Sequence, residues 1–322
     1  MIPVLTGQRI READAATISN EPIASIHLME RAAQGCATWL LEHIAPALPV
    51  KVLVGMGNNG GDGLAIARLL RTAGRTVSVV EVKHRSVPSE EQKTNRDRWL
   101  HMGGSLLEVE DGSNTFPIAD DEVIIDALLG VGLDRPLSGL LKSAVQLINR
   151  TPNPVYSIDL PSGLFSEDNS GNDLAGVVQA DVVLAIGTPK LALLLPENEG
   201  AAHQWVCIPI QLDAKYLASS MTPFALVELH DLPSMLPSRT RFQHKGRSGH
   251  ALIVAGSPGK WGAAALCAKA CARSGVGLIS MSLPPEVQTV MLGVLPEVMT
   301  EARPVQGEGP SFDPSRFSAV GI

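Results

Sequence analysis

Three short segments collect the residues able to do chemistry: GMGNNGGDG at 55–63, IDALLGVGLDRPLSG at 125–139 and IDLPSG at 158–163. The first sets Asn58, Asn59 and Asp62 among five glycines, the second carries Asp126 and the turn Gly130–Pro136, and the third carries Asp159 and Ser162. A glycine turn that opens a helix presents unpaired backbone N–H groups to an anion. Its glycines let the backbone come close to a ligand. The two asparagines and the aspartate add oxygens that a plain phosphate cradle does not need. As a group the donors are amides, carboxylates, a hydroxyl and turn carbonyls, which suits a hard cation. A monovalent ion fits as well as Mg²⁺, and zinc is disfavoured because neither His nor Cys joins the set. Asp159, a strand-end carboxylate, is a group that can give and take a proton. Lys190, in GTPKLALLLPE at 187–197, follows a further apolar run and can reach the same place.

These segments meet only if the strands before them run parallel, because a parallel sheet puts all strand C-termini along one edge. The pattern supports that. Strands are expected at 50–54, 76–82, 122–128, 155–159, 181–186 and 205–210. Between or before them, helical spacing predicts helices at 6–19, capped by Thr6, and at 25–45, 64–70, 88–101 and 137–149. Strands alternating with helices imply a parallel sheet with helices on both faces. Residues 221–243 hold no period, and a linker is expected at 221–240. The pattern then restarts with strands at 250–255 and 277–282, helices at 261–273 and 285–292, and a last apolar piece at 317–322.

The 322 residues suggest about two domains. Apolar residues make up 45%, enough for packed cores. A net charge of −7 without a basic cluster argues against nucleic acid as a partner. No apolar run reaches membrane-spanning length. The first residues, with Arg9, Arg11, Glu12 and Asp14, do not read as a signal peptide. The four cysteines show no metal spacing, and Cys267 and Cys271 are expected to be small buried residues. A cytoplasmic homo-oligomer, acting on a small molecule without membrane or nucleic acid, is the expectation.

Gly55, Gly57 and Gly60 also fit G-x-G-x-x-G, with Glu81 about 20 residues on. This would make an NAD-dependent oxidoreductase. Asp62 opposes it, since a carboxylate in the first helical turn competes with a pyrophosphate for the helix dipole. A purely structural turn, capped by Asn59 or Asp62, is a further alternative.

In this order and spacing, GNNGGDG, GVGLDRP after Asp126, DLPSG and GTPK resemble the N-terminal domain of the YjeF family, over roughly residues 1–215. That resemblance implies a three-layer, Rossmann-like doubly wound domain at 1–220 that acts as an NAD(P)H-hydrate epimerase, interconverting R and S forms of NADHX and NADPHX. It implies that Asn58, Asn59, Gly60, Gly61, Asp62 and Gly130, Val131, Gly132, Leu133, Asp134, Arg135, Pro136 line the substrate site, with Lys190 beside it. Asp159 would contact substrate as the acid/base, and Asn59, Asp126 and Ser162 would hold K⁺. Val131 stands where the family often has Thr. Since such domains also occur in non-catalytic proteins, a binding module is the remaining alternative.

Residues 244–284 are similar to the start of the family's ribokinase-like NAD(P)H-hydrate dehydratase, which uses Mg²⁺ and ADP or ATP. The implied second domain is 241–322, with Gly262 and Ala263 near the hydrate. The family's glycine-rich turn, histidine and glycine-aspartate motif are not within the sequence. The resemblance therefore implies a truncated domain and no dehydratase activity from these residues alone.

Overall fold

In a computed structural model, which describes residues 1–110, 116–236, 238–303 and 312–322, the apolar runs form parallel sheets in two units, Met1–Leu232 and Pro233–Ile322. The main sheet of the first unit has seven strands: β1 (Val50–Val54), β2 (Val77–Val82), β3 (Leu106–Val109), β4 (Val123–Ala127), β5 (Val155–Ile158), β6 (Ala180–Ile186) and β7 (Ala202–Ile208). Their spatial order is β3-β2-β1-β4-β5-β6-β7, parallel throughout. The order reverses between β1 and β4, and open α/β sheets bind ligands at such a switch point.

Five helices accompany these strands: α1 (Gly7–Asn20), α2 (Ser25–His43), α3 (Asn58–Thr72), α4 (Glu90–His101) and α5 (Gly139–Ile148). Side chains alternate across a strand, so β1 and β4 serve two cores. Val52, Val54 and Ile125 face Leu40 of α2, Leu64 and Ile66 of α3, and Trp99 of α4. Leu53 and Ile124 face Leu140, Val145 and Ile148 of α5. The result is three layers. Thr6 caps α1 by accepting Arg9 N–H, and Ser89 caps α4 by accepting Gln92 N–H.

Three sequence expectations change. The segment at 106–109 is an edge strand that the reading missed; Leu107 and Glu108 are exposed in it, so it lacks an apolar run. Helix α3 starts at Asn58, so most of the glycine segment is its first turn, capped by the Gly57 backbone rather than by Asn59 or Asp62. Ala225–Leu226, inside the expected linker, pairs with Ile2–Pro3 in the first unit.

The second unit carries β8 (His250–Ile253), β9 (Leu278–Leu283), β10 (Met299–Ala302) and β11 (Ala319–Gly321), parallel in the order β10-β9-β8-β11. Helices α6 (Trp261–Arg273) and α7 (Pro285–Val294) pack on it through Ala264, Ala268, Val287 and Met291. Cys271 is half-buried and Cys267 exposed, against the expected burial of both. Among the described residues no helix is long and apolar enough to cross a membrane.

Glycines set how closely α3 meets the strand ends. A Cβ on Gly63 would lie 2.5 Å from Ala127 Cβ, and one on Gly60 would lie 1.9 Å from Gly55 O. On Gly132 it would meet nothing within 4 Å. Gly60→Ala should therefore cost about 1–3 kcal/mol, the range for overpacking, whereas Gly132→Ala should stay within about 0.5 kcal/mol. Urea unfolding of the two variants against the parent chain checks this, and equal midpoints would refute the close approach.

Candidate active site

A cleft of about 430 Å³ opens at the C-terminal edge of the first unit's sheet. Strand order explains its walls. The turn from β1 into α3 brings Asn58, Asn59 and Asp62, the loop after β4 brings Gly130–Leu133, the end of β5 brings Asp159, and the end of β6 brings Thr188. Helix α1 adds Ile10, Arg11 and Asp14 as a further wall, and Arg85 follows β2. The loops touch closely. A Cβ on Gly130 would lie 3.1 Å from Asp159 Oδ2 and 3.5 Å from Asn59 Cβ. Any larger residue there would push those loops apart.

Asp159 has φ +70°, a left-handed conformation that costs a non-glycine residue of order 1–3 kcal/mol and persists only where its surroundings enforce it. The enforcement is visible. Asp159 N donates to Leu184 O at 2.8 Å, and Leu160 N donates to Ile158 O at 2.9 Å, closing a tight turn around it. Ile186 N donates to Asp159 Oδ1 at 3.3 Å. The same oxygen pairs with the Lys190 ammonium, which also donates to Ile186 O at 2.7 Å. Lys190 is 0% exposed. Its charge is thus spent on Asp159 and on backbone rather than offered to a ligand. The expected substrate contact by Lys190 is replaced by a positioning one.

Asp126 lies fully buried beneath the cleft. Its Oδ1 accepts from Ser162 Oγ at 2.6 Å and Leu128 N at 3.2 Å; its Oδ2 accepts from Ser157 Oγ at 2.8 Å and Ser162 N at 2.9 Å. Burial raises its pKa, opposed by these bonds, chiefly those from Ser162. Leu129 N in turn donates to Ser162 Oγ at 2.9 Å. So Asp126 ties the β4 and β5 loops together.

Among the described residues, Asn59 and Thr188 hold buried polar atoms at the cleft without a hydrogen-bond partner. Asn59 is buried with both amide atoms unbonded, and Thr188 Oγ1 is likewise buried and unbonded. Buried amides and hydroxyls are normally hydrogen-bonded, so these mark places for ligand atoms. Arg11 and Arg85 line the cleft, and so do the acids Asp14 and Asp62. Burial first, then Asp159, pushes the Asp14 pKa up to about 6, with Lys190 opposing. Burial, followed by Asp159 and Asp14, holds Asp62 well above the usual carboxylate range.

Of the residues expected at the substrate site, Asn58, Asn59, Asp62, Gly130, Val131, Gly132, Leu133 and Asp159 line the cleft. Gly60 and Gly61 are buried in the first turn of α3. Asp134, Arg135 and Pro136 are exposed beyond Leu133 and do not line it. Gly262 and Ala263 are exposed at the first turn of α6, in the second unit. Asp14, Thr188 and Arg85 were missed. Asp14 carried a signal, as an acid on the face of α1 next to buried Ala13 and Thr17. Glu81, the acid of the dinucleotide pattern, is 2% exposed and accepts from Gln92 Nε2 at 2.6 Å while pairing with Arg96. It is not free for a ribose.

Comparison with known proteins gives three findings. The family described as YjeF-related protein N-terminus matches residues 25–192, and the one described as NAD(P)H-hydrate dehydratase matches residues 251–321. The bifunctional NAD(P)H-hydrate repair enzyme Nnr of Synechocystis sp. is 33% identical over 316 residues, covering 94% of this chain and 57% of that protein. The enzyme of the same name from Moorella thermoacetica is 29% identical, covering 94% and 58%. The chain thus spans a little over half the length of these relatives. The crystal structure of yeast YNL200c superposes with TM-score 0.56 at 21% identity, over 70% of this chain and 97% of that one, a likeness of fold.

Removing one partner of a buried ion pair leaves an uncompensated charge, typically at a cost of 3–5 kcal/mol. Lys190→Met should therefore destabilise the first unit by about that much at pH 7. Adding Asp159→Asn should restore most of the loss. The readout is urea unfolding of both variants; a single variant as stable as the parent would contradict the burial described.

Proposed function

Because the chain belongs to the family of the YjeF-related protein N-terminus, we propose that its first unit is an NAD(P)H-hydrate epimerase acting on NADHX and NADPHX. The observation that carries this reading is Asp159: a carboxylate held in a strained turn at the cleft, opposite the unpartnered Asn59 amide. In the hydrate, the carbon bearing the hydroxyl also bears the ring nitrogen. The nitrogen lone pair can expel the hydroxyl as it takes a proton, leaving a planar iminium. Water then returns on either face and gives up a proton. Asp159 can carry that proton. Lys190 fixes its position, and the Gly130 backbone sets the distance to the ring. Asn59 and Thr188 supply the hydrogen bonds that hold the nucleotide in register.

The residues also fit a potassium ion. Asn59 Oδ1 is a buried oxygen without a donor, and Asp126 is a buried carboxylate with no ion pair among the described residues. Asn59, Asp126 and Ser162 would hold the ion, whose bound charge would balance the acids of the cleft. The buried, already paired Glu81 tells against an NAD-dependent oxidoreductase. For the second unit, similarity to the dehydratase family supports a part in the dehydration of S-NAD(P)HX with Mg²⁺ and ADP or ATP, as an activity of the whole protein. Metabolite repair is the resulting role.

Two measurements test this reading. Asp159→Asn leaves Lys190 unpaired and should lower stability as Lys190→Met does; under conditions where the variant is folded, it should slow equilibration of separated R and S hydrates by about 10²–10⁴-fold, the usual worth of general acid–base catalysis. A loss under about threefold would remove Asp159 from the chemistry, and no catalysis by the parent chain would leave a binding module. Replacing K⁺ by a large organic cation at equal ionic strength should lower the first unit's melting temperature by mass action. Unchanged melting and rate would exclude the ion.

A further inference from the structure

Two carboxylates of the cleft, Asp14 and Asp62, have no role in the chemistry above. Asp14 lines the cavity from α1, one turn beyond Ile10 and Arg11, which line it too. Among the described residues its carboxylate makes no hydrogen bond and no ion pair. The helix that carries it is fastened along its length. A Cβ on Gly7 would lie 3.1 Å from Val131 O, and Gly7 N donates to Glu167 Oε1 at 3.1 Å. Asp213 N donates to Thr17 Oγ1 at 2.9 Å, and Tyr216 OH donates to Glu12 Oε2 at 2.7 Å. A rigid wall thus presents an unspent carboxyl group to the same cavity as Asp159, from a different structural element.

The environments of the two acids differ. Asp159 has Lys190 as its own counter-charge. Asp14 has none, and burial together with the nearby Asp159 charge pushes its pKa up to about 6. One carboxyl group with a counter-charge and one without, facing the same cavity from different elements, can divide the roles of base and acid. Asp62, which burial also pushes above the ordinary carboxylate range, sits in the first turns of α3 together with Asn58 and Asn59 rather than on a separate wall.

We propose that Asp14 is a second catalytic residue of the epimerisation, the proton donor or acceptor on the α1 side of the cleft while Asp159 serves the β5 side. This rests on the epimerase reading. In one direction the C–O bond breaks as the Asp14 carboxyl gives its proton to the departing hydroxyl, which leaves as water, and the nitrogen lone pair forms the iminium. A water on the other face then forms the new C–O bond and passes a proton to the Asp159 carboxylate. The reverse direction exchanges the roles. Each turnover moves one proton from one carboxyl to the other, and exchange with solvent resets the pair.

The test is the pH dependence of kcat/KM for R-to-S conversion, which reports the free enzyme's acid and base. The groups facing Asp14 are Asp62, Asp159 and Lys190 across the cleft and Arg11 on its own helix. Acting as the acid, Asp14 must hold its proton, so the parent rate should fall as pH rises through about 6. Asp14→Asn should lose about 10²-fold or more in rate, with KM little changed, and should lose that limb of the profile. Asp14→Glu should recover activity with the limb displaced. A parent chain that does not interconvert the hydrates defeats the epimerase reading itself. A fully active parent with Asp14→Asn within about threefold of it, or with the limb unmoved, defeats the Asp14 assignment alone. Should Asp14→Asn not fold, Asp14→Glu decides: a limb at the parental pH overturns the proposal.

Discussion

The cleft depends on one buried ion pair. A lysine that is 0% exposed needs a charged partner, and its only such partner among the described residues is Asp159. Such a pair is weak evidence for stability, because desolvation of both charges offsets most of their attraction. What it supplies is position. Lys190 joins the segment after β6 to the end of β5, and Ile186 serves both groups through its own N–H and carbonyl. Asp159 is thereby kept in a left-handed turn that its own sterics disfavour. A side chain at Gly130 would meet both Asp159 and Asn59, so the loop after β4 approaches each of them closely.

Electrostatics and packing point the same way. Three carboxyl groups, Asp14, Asp62 and Asp159, share the cleft with a single buried ammonium. Like charges in a confined volume resist joint ionisation, so protons remain bound there at pH values where exposed aspartates have lost them. The surrounding frame is correspondingly stiff. Asp126 spends three of its four hydrogen bonds on Ser157 and Ser162 of the β5 segment and the fourth on its own turn at Leu128. The glycines of α3 let the helix sit against Ala127 and Gly55 with no side chain between.

Much of this was legible in the chain. Six of the seven strands of the sheet follow from apolar runs, and the meeting of the 57–63, 126–136 and 159–162 segments follows from parallel strand ends. Edge strand β3 escaped because an edge that faces solvent needs no apolar run, and Leu107 and Glu108 are exposed there. Lys190 was read as a reaching side chain because its type suggests solvent; only the fold shows it beneath the cleft. Asp14 escaped for the opposite reason. Periodicity shows which face of α1 is apolar, and it is silent on what the margin of that face looks upon. The dinucleotide pattern was legible but misleading, since the role of Glu81 is decided by Gln92 and Arg96, residues of a helix that the pattern does not mention.

Helix α1 precedes the segment by which the family is recognised, residues 25–192, yet it forms a wall of the cleft. Strand β7 and the residues that grip α1, Asp213 and Tyr216, follow that segment. The recognisable stretch is therefore a floor without its near wall. A gene fragment trimmed to residues 25–192 would encode the glycine turn, both strand-end acids and the lysine, and so would pass any inspection for motifs. It would also encode a cleft without the wall that α1 supplies. The boundary of the working catalyst is drawn by what encloses the cleft, and that lies outside the part of the chain that gives the family away.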